Sequence, residues 1–339
     1  SDLGNAHAMF NLALCYEKGD GVPQDTSKAI QLYQQASDLG DTKAMFNLAV
    51  CYSKGDGVAQ DKTKAIQLYQ QASDLGDTKA MLNLAVCYEK GDGVSQDKSK
   101  AIQLTEQATH LGDSRAMLRL ATCYLNGDGV TQDKSKAIHL FQQAADLRNT
   151  DAMVNLGLCY FTGNGAAQNK TKAIQLYQNA ADLGNTDGMV DLAVCYFEGN
   201  GVSRDKIKAI QLLQRAADLG NTQAMNNLAG CHCRGVGVAH DESKAIQLLQ
   251  KAAGLGNTDA MYNLARFYEN GVGVSQDKSK AIQLLQQAAD LGDIDAMANL
   301  ARHYEKGIGV SRDKAKAEEL YQKASAKGYT RSGWYCTLL

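Results

Sequence analysis

The sequence predicts an all-α solenoid of nine 36-residue helix–turn–helix repeats, and three observations carry this prediction. All nine methionines are spaced 36 residues apart, from Met9 to Met297. Seven of the nine cysteines have the same spacing, from Cys15 to Cys231. A Gly-x-Gly motif also recurs in every repeat, with no residue gained or lost between copies. The chain therefore divides into equal units.

The first helix of each unit, which we call helix A, is best seen in residues 41–76. Asp41 precedes a run of apolar residues at helical spacing and is a typical N-cap, and every repeat has Asp or Asn there, from Asn5 to Asp293. The helix is predicted to run to about Lys54, with Gly55 as the left-handed residue that ends it. Its predicted core-facing residues are Ala44, Met45, Leu48, Ala49, Cys51 and Tyr52.

The second helix, helix B, follows a short turn. Asp61 is its predicted N-cap, with Asp or Asn in all nine repeats, and Gly76 marks its end. Its predicted core-facing residues are Ala65, Ile66, Leu68, Tyr69, Ala72 and Leu75. Because the connections are short, the two helices are expected to be antiparallel neighbours. One pair cannot bury enough apolar surface to fold alone, so the repeats are expected to stack.

The predicted boundaries follow from this unit. The repeats are assigned to residues 5–40, 41–76, 77–112, 113–148, 149–184, 185–220, 221–256, 257–292 and 293–328. Residues 1–4 are predicted to end a preceding helix, and residues 329–339 to form a C-terminal cap or a partial repeat. Because residues 1–4 match residues 37–40, the chain begins in mid-repeat. We therefore expect it to be part of a longer protein, whose targeting segment could lie outside it.

Composition and charge exclude several functions. The net charge of −2 gives no electrostatic reason to expect nucleic acid as a partner. No apolar run is long enough to cross a bilayer, so no membrane insertion is expected. No nucleophile, base and orienting acid stand outside the repeat pattern, so the chain is not expected to be an enzyme.

The cysteine column has a structural interpretation. Equivalent positions of adjacent repeats should lie about 9–10 Å apart, whereas a disulfide needs Cα atoms within about 7 Å. The cysteines are therefore interpreted as small buried apolar residues, which favours a reducing, cytoplasmic compartment. Cys231, His232, Cys233 and His240 could bind zinc. However, Cys231 belongs to the column and His232 replaces the usual tyrosine, so no metal or other cofactor is expected.

A second unbroken column is lysine in the first turn of helix B, from Lys28 to Lys316. A positive charge there opposes the helix dipole. One interpretation is that the stem covers the core while the ammonium meets a turn aspartate. The alternative is a functional basic ladder.

The pattern A-x-x-x-L-A-x-C-Y-x-x-G-x-G-V-x-x-D-x-x-K-A-I-x-L-x-x-x-A, read from Ala44 to Ala72, resembles the Sel-1-like repeat (SLR) family, a relative of the tetratricopeptide repeats. The resemblance covers residues 5–328. It implies a right-handed α/α superhelix with helix A on the concave side, and a scaffold or adaptor that binds a peptide or protein segment in the concave groove. The secreted branch of the family has two cysteines per repeat, whereas this chain has one.

Two other functions remain open. One is a structural spacer or an engineered array without a dedicated ligand. The other is a hydrolase of the cysteine-rich type. Neither the partner nor the oligomeric state follows from the repeat motif.

A partner would bind where helix A faces away from the core, because those positions vary between repeats. Candidate partner-binding residues are Phe10, Asn11, Phe46, Asn47, Asn83, Asn155, Asn227, Tyr262, Asn263, Arg266, Asn299 and Arg302. The asparagine amides would bond a peptide backbone, apolar residues would take its side chains, and the arginines would meet an acidic group. Alternatively, the aromatic residues are buried between A helices and the asparagines bond neighbouring backbone.

Overall fold

The structure is a computed structural model that describes residues 2–329, with side chains from residue 4 onward. Within this range it contains eighteen α-helices and no β-strand. The A helices are α1 (Asp2–Lys18), α3 (Thr42–Lys54), α5 (Thr78–Lys90), α7 (Ser114–Asn126), α9 (Thr150–Thr162), α11 (Thr186–Glu198), α13 (Thr222–Arg234), α15 (Thr258–Asn270) and α17 (Ile294–Lys306). The B helices are α2 (Thr26–Asp38), α4 (Lys62–Asp74), α6 (Lys98–His110), α8 (Lys134–Asp146), α10 (Lys170–Asp182), α12 (Lys206–Asp218), α14 (Glu242–Gly254), α16 (Lys278–Asp290) and α18 (Lys314–Ala326). The predicted all-α repeat fold is confirmed.

The chain divides into two compact units, Ser1–Asn169 and Lys170–Leu339, which we call the N-terminal half and the C-terminal half. Within each half, every helix packs against the helices next to it in the chain. Each half is therefore a stack in which contacts run between sequence neighbours.

The helix ends have the predicted chemistry. The side chain of Asp41 accepts a hydrogen bond from the backbone N–H of Ala44 at 2.8 Å, and that of Asp61 accepts one from Lys64 at 2.9 Å. Gly55 ends α3 with a φ of 81°. These caps satisfy backbone groups that a helix end leaves without an internal partner.

The first helix differs from the prediction. Helix α1 runs without a break from Asp2, so residues 2–4 belong to it and Asn5 is not an N-cap. In the later repeats the equivalent residues form a turn, because Gly40 and Asp41 donate to carbonyl groups of the preceding helix B at 2.9 and 3.0 Å. In α1 the backbone of residues 2–5 is instead continuous with the rest of the helix. The predicted cap or partial repeat at residues 329–339 lies, beyond Tyr329, outside the described residues.

The core lies between the A and B helices. Leu48, Ala49, Ala65 and Ala72 are at most 2% exposed. Leu75, which was predicted to face the core, is instead 59% exposed. It follows the last residue of α4 as the C-cap, where the chain leaves the helix and the apolar stripe no longer faces the neighbouring helix. The leucines at this position in the other repeats are exposed as well.

The lysine column is explained by the tyrosine that ends the A-helix core stripe. In seven repeats the lysine Nζ lies 4.1–4.5 Å from the centroid of a tyrosine ring, as for Lys64 over Tyr52. The ammonium of Lys64 also donates to the Tyr52 hydroxyl at 2.6 Å. The main partner of the ammonium is therefore the tyrosine ring and not a turn aspartate. This cation–π contact stabilises the packing of helix B against helix A. In repeat seven His232 replaces the tyrosine, and its Nδ1 is buried without a hydrogen-bond partner.

Candidate functional site

The candidate surface consists of the A-helix positions that the sequence predicted to lie furthest from the core. We call it the A surface, and in repeat two it comprises Phe46, Asn47, Val50, Ser53 and Lys54. Phe46, Asn47 and Val50 are half-buried. Half-buried side chains of this kind still present part of their surface to a ligand.

Phe10 is a correction to the predicted site. It is only 8% exposed, and its ring lies 5.9 Å from that of Tyr33 in α2. Phe46 makes the same contact with Tyr69 at 5.9 Å but stays half-buried. The aromatic residues at this position therefore pack on helix B, and Phe10 belongs to the core.

The seven asparagines among the predicted partner-binding residues, which we call the asparagine ladder, have different partners. Asn47 donates to the hydroxyl of Tyr33 at 3.2 Å. Asn155 donates to the backbone carbonyl of Asp151 at 2.8 Å, one turn earlier in its own helix. Asn227 accepts from Gln223 at 3.1 Å. These three asparagines therefore already form hydrogen bonds within the protein, and of the three Asn155 is the one that bonds a backbone group.

The remaining members of the ladder are Asn11, Asn83, Asn263 and Asn299. Asn11 is exposed, and the other three are half-buried. Asn263 donates to the amide oxygen of Asn226, on the preceding A helix, at 2.9 Å. This bond uses one of the four hydrogen-bonding positions of the Asn263 amide, so capacity remains for a ligand. Tyr262, next to it on α15, is also half-buried.

Asp191 interrupts the ladder in the C-terminal half. Burial, and secondarily the charge of Asp187, raises the pKa of its carboxyl to about 6. A neutral carboxylic acid both donates and accepts, much as the asparagine amide does. The A surface of repeat six therefore changes its charge near neutral pH.

The arginines of the A surface separate into paired and unpaired residues. Arg119 pairs with Glu89, and Arg302 lies 3.4 Å from Glu269, each across one repeat interface. Arg266 occupies the position of Arg302 one repeat earlier. Among the described residues no carboxylate forms an ion pair with Arg266, which is half-buried. The two arginines predicted to act alike therefore have different surroundings.

A pocket opens beside Arg266, between α13 and α15. Its volume is about 200 Å³, and it is lined by Gly230, Cys233, Leu249, Phe267 and Val272, with Asn226, Asn263 and Arg266 also at its wall. We call it the Arg266 pocket. The sequence prediction named Asn263 and Arg266 but missed the apolar lining. The sequence does indicate this lining, because two of its residues depart from the repeat. Gly230 stands where repeat six has Val194, and Cys233 stands where repeat eight has Glu269.

The eight cysteines of the described residues are free thiols, and Cys51, Cys159, Cys195 and Cys231 are buried. Burial raises the pKa of the Cys51 and Cys195 thiols to about 11. These thiols are therefore protonated and poorly nucleophilic at neutral pH. Within residues 2–329 no group of three His, Cys, Asp or Glu side chains could hold a metal ion.

None of the described helices combines the length and the apolar character that a bilayer crossing requires.

The comparison with protein families decides the identity of the repeats. The model of the Sel1 repeat matches nine consecutive segments, 6–41, 42–77, 78–113, 114–149, 150–185, 186–221, 222–257, 258–293 and 294–329. The chain belongs to the Sel1 repeat family. These Sel1 repeats begin one residue later than the units predicted above, because the family model places the N-cap at the end of each unit.

Solved structures agree with this assignment. A protective antigen with an SLR fold from uropathogenic Escherichia coli is 32% identical with a TM-score of 0.65, and the match covers 96% of this chain and 69% of that chain. A Sel1 repeat protein from Oxalobacter formigenes is 28% identical with a TM-score of 0.67, covering 89% and 88%. An immunity protein from Pseudomonas aeruginosa is 25% identical with a TM-score of 0.51, covering 63% and 82%. Among proteins of curated function, no significant match is found.

Proposed function

We propose that this chain is a protein-interaction scaffold that binds a peptide or protein segment along its A surface. The chain consists of Sel1 repeats, and the resemblance to this family implies scaffold or adaptor work. The observation that supports the proposal is the contrast between positions of the repeat. Core positions keep their residues, as in Met45, Met81 and Met117. A-surface positions change: the position of Asn47 holds Arg119 in repeat four, and that of Val50 holds Arg266 in repeat eight.

The B helices provide the contrast. Their outer faces carry a repeated pair in which a glutamine donates to an aspartate one turn later, as from Gln70 to Asp74 at 2.7 Å and from Gln286 to Asp290 at 2.8 Å. This face is polar, nearly uniform and satisfied within its own helix. A spacer needs two faces of this kind. A scaffold needs one face with varied chemistry, which the A helices provide.

The chemistry of the A surface suits a peptide. Side-chain amides such as Asn83 and Asn263 both donate and accept, as a peptide backbone requires. Half-buried apolar residues beside them, such as Leu82, offer contact area for side chains. Binding along successive A helices would then add small contributions from several repeats.

Selection from a random peptide library on the intact chain would test this function. The test variant carries Asn83→Ala and Asn263→Ala, and the matched control carries Gln70→Ala and Gln286→Ala, so each loses two amides. We expect the selected peptides to bind the A-surface variant about tenfold more weakly, and the control as tightly as the parent. The proposal fails when no peptide is enriched or when both variants bind alike, with equal helical circular dichroism.

A further inference from the structure

The Arg266 pocket has the features of a specificity site within the C-terminal half. Its lining includes Leu249, which is 2% exposed, and Gly230, which adds no side chain. An apolar cavity of about 150 Å³ admits benzene, and this pocket has a volume of about 200 Å³. It is therefore large enough for a phenyl ring or a branched aliphatic side chain.

The repeats themselves show what the pocket lacks. Arg302 of repeat nine lies 3.4 Å from Glu269 of repeat eight. One repeat earlier, the same two positions hold Arg266 and Cys233. Burial raises the pKa of the Cys233 thiol, so this residue supplies no negative charge at neutral pH. Arg266 thus keeps the arginine of an inter-repeat ion pair, while the residue that would supply its carboxylate has been replaced.

The nearby charges do not compensate. After burial, the negative charge of Glu242 is the next cause that raises the pKa of the Cys233 thiol. Its carboxylate lies 3.8 Å from His240, however, and Glu242 is not part of the pocket lining. Arg234 also lines the pocket and donates to the backbone carbonyl of Gly230 at 3.2 Å. A half-buried guanidinium favours a carboxylate, which it can bind through two parallel hydrogen bonds.

We propose that the Arg266 pocket binds a leucine-, methionine- or phenylalanine-sized side chain of a peptide, with an adjacent aspartate or glutamate paired to Arg266. The apolar walls take the side chain, and the ligand carboxylate occupies the place that Glu269 fills beside Arg302. Asn226 and Asn263 orient the peptide backbone at the rim. This inference rests on the proposed function and names the ligand chemistry of one part of the A surface.

An array of peptides that places all 400 ordered residue pairs between constant Gly-Ser flanks provides the test. We expect pairs of Leu, Met or Phe with Asp or Glu to give the strongest signals. The affinities of the best pair and of its Asn or Gln counterpart are then measured by fluorescence anisotropy. The acidic peptide should bind about tenfold more tightly than the amide peptide.

Three variants separate the parts of the site. Gly230→Val introduces the side chain that repeat six carries at the same position, Val194. The valine should fill part of the pocket and weaken peptide binding about tenfold or more. Cys233→Glu restores the internal acid, and should reduce the acidic peptide to the affinity of the amide peptide. Arg266→Ala should do the same, while Lys251→Ala, which removes an exposed positive charge, should have no effect.

Two outcomes would overturn the inference, and they differ in what they leave standing. The first outcome is a preference for other residue pairs, or equal binding by the parent and the Gly230→Val and Cys233→Glu variants. It would refute the proposed pocket ligand, but it would leave the scaffold function intact if binding still depends on Asn83. The absence of any peptide whose binding depends on the A surface removes both.

Discussion

At the scale of single residues, the positions that depart from the repeat carry most of the information about function. Asp191 stands where most repeats have asparagine, and Arg266 lacks the acid that Arg302 has. Each departure is visible in the sequence as a break in a column. Its meaning is not visible there, because it depends on the packing of the folded chain. The partner of Arg302 is Glu269, 33 positions earlier on the neighbouring repeat, and the pKa of Asp191 is raised mainly by burial.

Asp191→Asn is expected to stabilise the protein at neutral pH. The folded-state pKa of about 6 lies above the ordinary aspartate value of 3.8, so the folded state binds the proton more tightly than the unfolded state. The parent therefore loses stability as the pH rises from about 4 to about 6. Asparagine removes this loss, which corresponds to about 1–2 kcal/mol after allowance for partial exposure.

Thermal unfolding at pH 4 and at pH 7.5 checks this prediction. The melting temperatures of the Asp191→Asn variant and the parent should be nearly equal at pH 4, and the variant should melt higher at pH 7.5. A difference that is largest in acid would show the opposite sign and contradict the assigned pKa.

His232→Tyr is expected to raise the melting temperature. The substitution removes a buried nitrogen without a partner and restores the ring that holds the helix B lysine elsewhere, as Tyr196 holds Lys208 with Nζ 4.5 Å from its centroid. A cation–π contact contributes about 0.5–1 kcal/mol. The reverse substitution, Tyr196→His, is the matched control and should lower the melting temperature measured by calorimetry. The prediction is wrong if both variants shift in the same direction.

At the scale of helices and turns, the sequence predicted the structure closely because each end of a helix carries its own chemical signal. Asp41 and Asp61 cap the starts of α3 and α4, and Gly55 caps the end of α3, as expected. One error comes from extending a helical pattern past the end of the helix. Leu75 has the spacing of a core residue, yet it follows the last residue of α4 and is exposed. Phe10 was assigned to the surface by its angle around α1, but its ring is long enough to reach Tyr33.

From Gly57 onward, the second glycine of each Gly-x-Gly turn has a packing role that the repeat pattern did not predict. A Cβ on Gly201 would lie 2.7 Å from Cβ of Lys170 and 2.8 Å from Cδ1 of Ile174, both in the helix B of the preceding repeat, α10. Gly220, in the turn after helix B, also has a positive φ but no heavy atom within 4 Å of such a Cβ. The turn of one repeat thus packs closely on its neighbour.

Gly201→Ala should therefore destabilise the protein more than Gly220→Ala. Both variants pay for the left-handed backbone, about 1–2 kcal/mol. Only Gly201→Ala adds a steric clash, of about 1–3 kcal/mol. Urea unfolding followed by circular dichroism measures both midpoints. Equal midpoints would mean that the turn moves away without cost and does not couple adjacent repeats.

At the scale of the whole molecule, the repeat arrangement makes each boundary chemically similar to the next. Ala72 and Ala108 end the core stripe of two successive B helices, and Met81 and Met117 begin the A helices that pack on them. Contacts in the N-terminal half run between neighbouring helices. Removing one whole unit should consequently join two surfaces that already fit.

Deletion of residues 77–112 tests this consequence. It places α7 directly after α4, in the position that α5 occupied, and should leave the helical signal per residue and the cooperativity of unfolding unchanged. The melting temperature should fall by a few degrees, because one interface is lost from the stack. Deletion of residues 77–94 is the control, since it removes α5 alone and makes α4 and α6, two B helices, consecutive. That variant should lose helicity or aggregate, because the apolar stripe of α6 then faces a helix with the wrong pattern. Equal helicity and cooperativity in the two deletions would show that the 36-residue unit is not the unit of packing.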